Sequence, residues 1–126
     1  MAPNLERLRS SGLQLVALTN SPPDIAEQQL INADLARYFD HMLSVHPTGK
    51  FKPHPDVYRH AANQIGESLD RMMMIAAHDW DIAGAMAVGM AGAYVTRPGM
   101  ALNPLFQRPT LAADTMDVIV DAILDR

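Results

Sequence analysis

The strongest constraint on how this chain can fold is its punctuation. Short apolar runs of four to six residues alternate with amphipathic stretches about twice as long. Residues 13–18 (LQLVAL), 42–45, 72–76 and 93–96 read as strands, the first as a strand buried on both faces. Between them residues 25–31, 56–65 and 79–88 carry helical patterning, and residues 113–124 form a last helix. Leu5 and Leu8 belong to an opening helix that stops near Ser10-Ser11-Gly12. Ser21 is placed to cap the second helix, with Pro22 at its first position and Asp24 favouring the dipole. Residues 46–55 must be a loop, because Pro47, Pro53 and Pro55 cannot donate to a ladder. A further turn is expected at Arg97-Pro98-Gly99. Strand and helix in strict alternation imply parallel strands joined by right-handed crossovers, hence a layered α/β sheet. Ligands of such sheets sit beyond the carboxyl ends of the strands.

Length and composition bound the rest. A chain of 126 residues is sized for one domain, and 48% apolar against 19% charged residues can bury a core. Ten basic against fourteen acidic residues give a formal charge of −4, with no basic patch to suggest nucleic acid as a partner. The absence of cysteine excludes a disulfide scaffold, a thiolate zinc site and a cysteine nucleophile, and fits a cytoplasmic location. No run approaches the ~20 apolar residues that would cross a bilayer, and the charged, helical start does not read as a signal peptide.

Three clusters fall where strand carboxyl ends should be: Thr19-Asn20, Lys52 and His78 to Asp81. Each has a plain reading beside the functional one. Thr19 and Asn20 suit a turn, or a hydroxyl and an amide beside a helix N-terminus arranged to hold an anion. Lys52 is a lone cation, yet one positioned between Phe51 and Pro53 in a stiff loop. Tyr58 packs or functions in the next helix. Asp79 complements a helix dipole, Trp80 suits the core or a partner surface, and His78 with Asp81 falls one ligand short of a metal site. The small residues of Asp81-Ile82-Ala83-Gly84-Ala85 suit close helix–sheet contact.

The combination LQLVALTNS, KFKPHPDVY and AAHDWDIAGAMAVGMAGAYVTRPG resembles the C-terminal half of the haloacid dehalogenase superfamily, specifically the type II 2-haloacid dehalogenases. The likeness runs from about residue 3 to the end. It implies a three-layer, Rossmannoid parallel sheet. It also implies that Thr19 and Asn20 bind a substrate carboxylate, with Asn20 also meeting the leaving halide. Lys52 matches the lysine that orients a nucleophilic aspartate, Tyr58 the tyrosine beyond it, His78 a position held by Asn or His, and Asp81 the acid after the Trp. Where related phosphatases carry a magnesium-binding aspartate, five residues before Asp81, this chain has Ala76. That departure disfavours a phosphatase and suits a reaction without metal or other cofactor. The implied substrate is a small 2-haloacid, and a homodimer is an assembly known in the family.

The resemblance also implies an absence. The strand with the attacking aspartate, central in the family's sheet, and the helical cap both precede the matched region, so residues 1–126 are expected to be a partial core domain. Without that strand, two inward edges should expose unpaired backbone groups. Three alternatives remain beside a dehalogenase fragment: a non-catalytic binding module, one half of a complemented split protein, or another hydrolase of the superfamily. A receiver-like signalling domain fits poorly, because the Lys-Pro pair comes too early and no acidic pocket precedes it.

Overall fold

The computed structural model describes residues 1–98 and 103–126. Its helices are α1 (Ala2–Ser10), α2 (Pro23–Asn32), α3 (Pro55–Ile65), α4 (Asp79–Ala87) and α5 (Met116–Leu124). The strands are β1 (Val16–Thr19), β2 (His41–Ser44), β3 (Met73–Ala76), β4 (Ala91–Val95) and β5 (Leu111–Ala113). Among the described residues no helix is long and apolar enough to cross a membrane. All strand pairs are parallel, as the alternation requires. The turn expected at Arg97-Pro98-Gly99 runs into residues 99–102, outside the described residues.

The sheet is split. Among the described residues β1 pairs only with β2, and β3-β4-β5 form a separate ladder. Leu15 and Thr19 direct their carbonyls at β2, where they accept from Asp40 and Val45. Alternation then turns the backbone groups of Val16 and Leu18 the other way. Likewise Met72 offers its carbonyl to Ala91, so Met73 and Ile75 face away from β4. The edges of β1 and β3 therefore border one gap. Their exposure agrees with this: every residue of both strands is only half-buried, whereas Gly92, Ala93 and Tyr94 of β4 are buried. The expectation that the first strand is buried on both faces fails for this reason.

The core still bridges the gap. Tyr58 of α3, Ala85 of α4 and Met90 form its buried centre, with Leu18 from one half-sheet and Met74 from the other packed against it. α4 packs on β3 and β4, and α3 packs on α4. α1 and α5 pair separately and bury Leu5, Leu8, Ile119 and Val120. Gly92 admits α4 to the sheet, since a Cβ there would stand 2.6 Å from Ile82 Cγ2 and 2.9 Å from Met86 Sδ.

Several boundaries differ from the sequence reading. The first strand starts at Val16, opposite His41 in β2; before it only the Leu15 carbonyl reaches β2, accepting from His41 N. The cap of α2 is Pro22 rather than Ser21, because Ser21 is held by Thr19 and Ser44. The last helix starts at Met116, with Thr115 Oγ1 accepting from Val118 N. The three residues of β5, too few to show an alternation, precede it. An exposed edge loses amide protection first, so Val16, Leu18, Met73 and Ile75 should exchange hydrogen much faster than Ala93 and Tyr94. Residue-resolved exchange by NMR checks this; equal protection would mean that the gap is closed.

Candidate active site

The β2–α3 loop delivers Lys52 by several local hydrogen bonds. Thr48 Oγ1 donates to the Val45 carbonyl at 2.6 Å and accepts from Lys50 N at 3.1 Å. His54 Nδ1 accepts from Asp56 N at 3.1 Å and caps α3. Asn20, just past β1, accepts the Lys52 N–H on its Oδ1 at 2.8 Å. The Lys52–Pro53 peptide is cis. Backbone on both sides of the side chain is thus tied down before any charge is considered.

The Lys52 ammonium lies at the gap. It donates to Asp81 Oδ2 at 2.8 Å and to the Leu18 carbonyl at 3.2 Å, one of the groups that β1 turns away from β2. Asp81, in the first turn of α4, is 3% exposed, and its other oxygen accepts from Tyr58 OH at 2.7 Å. A carboxylate so far from water requires such partners, since an unpaired buried charge is strongly unfavourable. Tyr58 is fully buried. Burial first, and then the Asp81 carboxylate, push its phenol well above the usual tyrosine range. It acts here as a fixed donor that holds Asp81.

Four of the six sequence-predicted residues thus form one connected cluster: Asn20, Lys52, Tyr58 and Asp81. Thr19 lies beside it at the end of β1, and its hydroxyl oxygen accepts from Ser21 N at 3.1 Å, which leaves its proton to donate. The His78 carbonyl accepts from Asp81 N at 3.2 Å, but among the described residues no hydrogen bond joins the His78 side chain to the cluster. His78 is exposed and stacks on Trp80, ring centroids 5.2 Å apart and planes 13° from parallel. Sequence reading missed the Leu18 carbonyl, because no side chain signals a backbone acceptor at an open edge. No three His, Asp or Glu side chains gather as a metal site would need among the described residues. A cavity of about 340 Å³ lies apart from the cluster, between α4 and the segment before β5, and is lined by Ile82, Tyr94 and Phe106 among others.

The fold is thus a parallel α/β architecture with a buried Lys–Asp pair at the carboxyl end of its strands. The chain belongs to the haloacid dehalogenase-like hydrolases, whose family model matches residues 1–89. Within it, the chain is 30% identical over 119 residues to haloacetate dehalogenase H-2 of Moraxella sp. (strain B), covering 94% of this chain and 53% of that protein. It is 31% identical over 121 residues to (S)-2-haloacid dehalogenase H-109 of Pseudomonas putida, with 96% and 54% covered. The crystal structure of the L-2-haloacid dehalogenase RSc1362 superposes with a TM-score of 0.91 at 28% identity, over 96% of this chain and 53% of that one. The chain therefore spans about half the length of these relatives.

The two lysines of the loop allow an internal comparison. Lys50 pairs with Asp56 at 2.7 Å, but both side chains are nearly half exposed, and such pairs contribute about 0–1 kcal/mol. The side chains of Lys52 and Asp81 are 13% and 4% exposed, and breaking a buried pair costs about 3–5 kcal/mol. Urea unfolding of Lys52→Met and Lys50→Met should show that contrast. Equal losses would mean that the Lys52 pair is as solvated as its neighbour.

Proposed function

We propose that this chain is the C-terminal part of the catalytic core of a 2-haloacid dehalogenase, and that residues 1–126 make one partial domain. The observation that carries the reading is the ammonium of Lys52 standing in a gap bordered by two unpaired strand edges. A strand seated between β1 and β3 would pair both edges and bring an aspartate at its carboxyl end beside Lys52. Lysine has three donors; Asp81 and Leu18 take two, and the third serves that aspartate. The cation keeps the nucleophile ionised and aimed.

The chemistry follows in two displacements. The aspartate oxygen attacks the α-carbon of the haloacid as the carbon–halogen bond breaks, releasing halide and leaving an aspartyl ester. Water then adds to the ester carbonyl and frees the hydroxy acid, with inverted configuration at the α-carbon. Thr19 donates its hydroxyl proton, and Asn20 its amide, to the substrate carboxylate. Since Oδ1 of Asn20 already accepts from Lys52 N, its NH₂ group is the end left to bind. Asp81 fixes Lys52, Tyr58 fixes Asp81, and His78 borders the entrance. Ala76 in place of a second acid favours this reaction over phosphoryl hydrolysis.

The 126-residue chain alone should release no halide from 2-chloropropionate, because the attacking carboxylate is supplied from outside it. Joining the preceding segment, or adding it as a separate polypeptide, should give turnover. Lys52→Ala in that complete protein should lower turnover at least about 100-fold, the scale for loss of a preorganised charge. Halide release by the isolated chain, or full activity of the variant, would overturn the reading.

A further inference from the structure

We propose that Gly84 is a positioning residue: its missing side chain lets α4 close onto the Lys52 loop and Tyr58 together, and so sets the geometry of both anchors of Asp81. Gly84 follows Asp81 by three residues, so the two lie on neighbouring parts of one helix face. A Cβ at position 84 would stand 2.6 Å from Pro53 Cβ, 3.0 Å from the Pro53 carbonyl and 3.1 Å from Tyr58 Cε2. Ordinary carbon contacts need about 3.5–4.0 Å. Pro53 directly follows Lys52, and Tyr58 holds the other oxygen of Asp81. One methyl group would therefore press on both partners of the same carboxylate.

Local preference argues against glycine here. In a helix interior it is about 1 kcal/mol less favourable than alanine, and Ala83, Ala85 and Ala87 show what the helix otherwise uses. Gly92 provides the contrast. The atoms nearest its Cβ position belong to the Ile82 and Met86 side chains; the thioether of Met86 can turn aside, the β-branched Ile82 yields less readily, and neither is a partner of Asp81. At Gly84 the obstacle is a proline ring and a backbone carbonyl. They yield only if the loop moves outward, and Phe51 in that loop is 68% exposed, with space to move into.

The contribution to catalysis rests on the function proposed above; the geometry does not. The test uses the 126-residue chain with tyrosine ring carbons labelled for NMR, and Tyr58→Phe to assign the signal. Gly84→Ala should remain folded, while the Tyr58 Cζ signal at neutral pH moves from its parent position, its bond to Asp81 having loosened. Gly92→Ala should lower stability and leave the Tyr58 Cζ signal in place. An unmoved signal in Gly84→Ala, or the same shift in both variants, overturns the proposal. So does a Gly84→Ala chain that stays unfolded even with trimethylamine N-oxide where Gly92→Ala folds, since glycine would then serve folding alone. In the complete protein Gly84→Ala should reduce kcat about ten- to a hundredfold, with KM changed by less than about threefold. A normal kcat there would overturn the catalytic role. A shifted Tyr58 in a complete protein without dehalogenase activity would instead sink the function and leave the positioning intact.

Discussion

The contact on which the rest depends is the ammonium of Lys52 between the Leu18 carbonyl and Asp81. β1 belongs to one half-sheet and α4 packs on the other, and among the described residues the two half-sheets share no ladder. The lysine side chain is thus a polar tie across the division, beside the apolar packing around Tyr58. Its position explains why the loop is so constrained: Asn20, Thr48 and His54 each fix a backbone group within it. A mobile loop would leave Asp81 as a buried charge without its cation.

The same arrangement sorts polar groups by task. Tyr58 and Asp81 are enclosed and saturated by one another and by Lys52, so they hold geometry. Thr19 and Asn20 each accept one internal hydrogen bond and retain donors toward the carboxyl edge. A site that offers donors there, above a cation, is electrostatically suited to anions. On the proposed function, rigidity sits underneath and binding on top.

Much of the fold was legible in the sequence because alternation of strand and helix is a strong signal, and the parallel order follows from it. Lys52, Asp81 and Tyr58 were legible as candidates through a motif, while their burial was not. Nothing in the local pattern says that an acid in the first turn of α4 points inward rather than complementing a dipole. β5 was missed because three residues carry no periodicity, and β1 was drawn too long because Leu13 to Leu15 look like a strand but only the Leu15 carbonyl reaches β2. Gly84 stood out as a small residue suited to the sheet. Its close contacts are instead with Pro53 and Tyr58, and only the tertiary arrangement reveals them.

The two half-satisfied strand borders are not equivalent: one belongs to β1, the other to β3. Should the border of one molecule find the opposite border of another, the contact is head-to-tail and leaves a fresh border at each end. Growth by that route need not close into a ring and can run on as a fibre. On the proposed function, the gap that would receive the missing strand is, when vacant, a polymerisation hazard, and the same hydrogen-bonding groups are responsible for both.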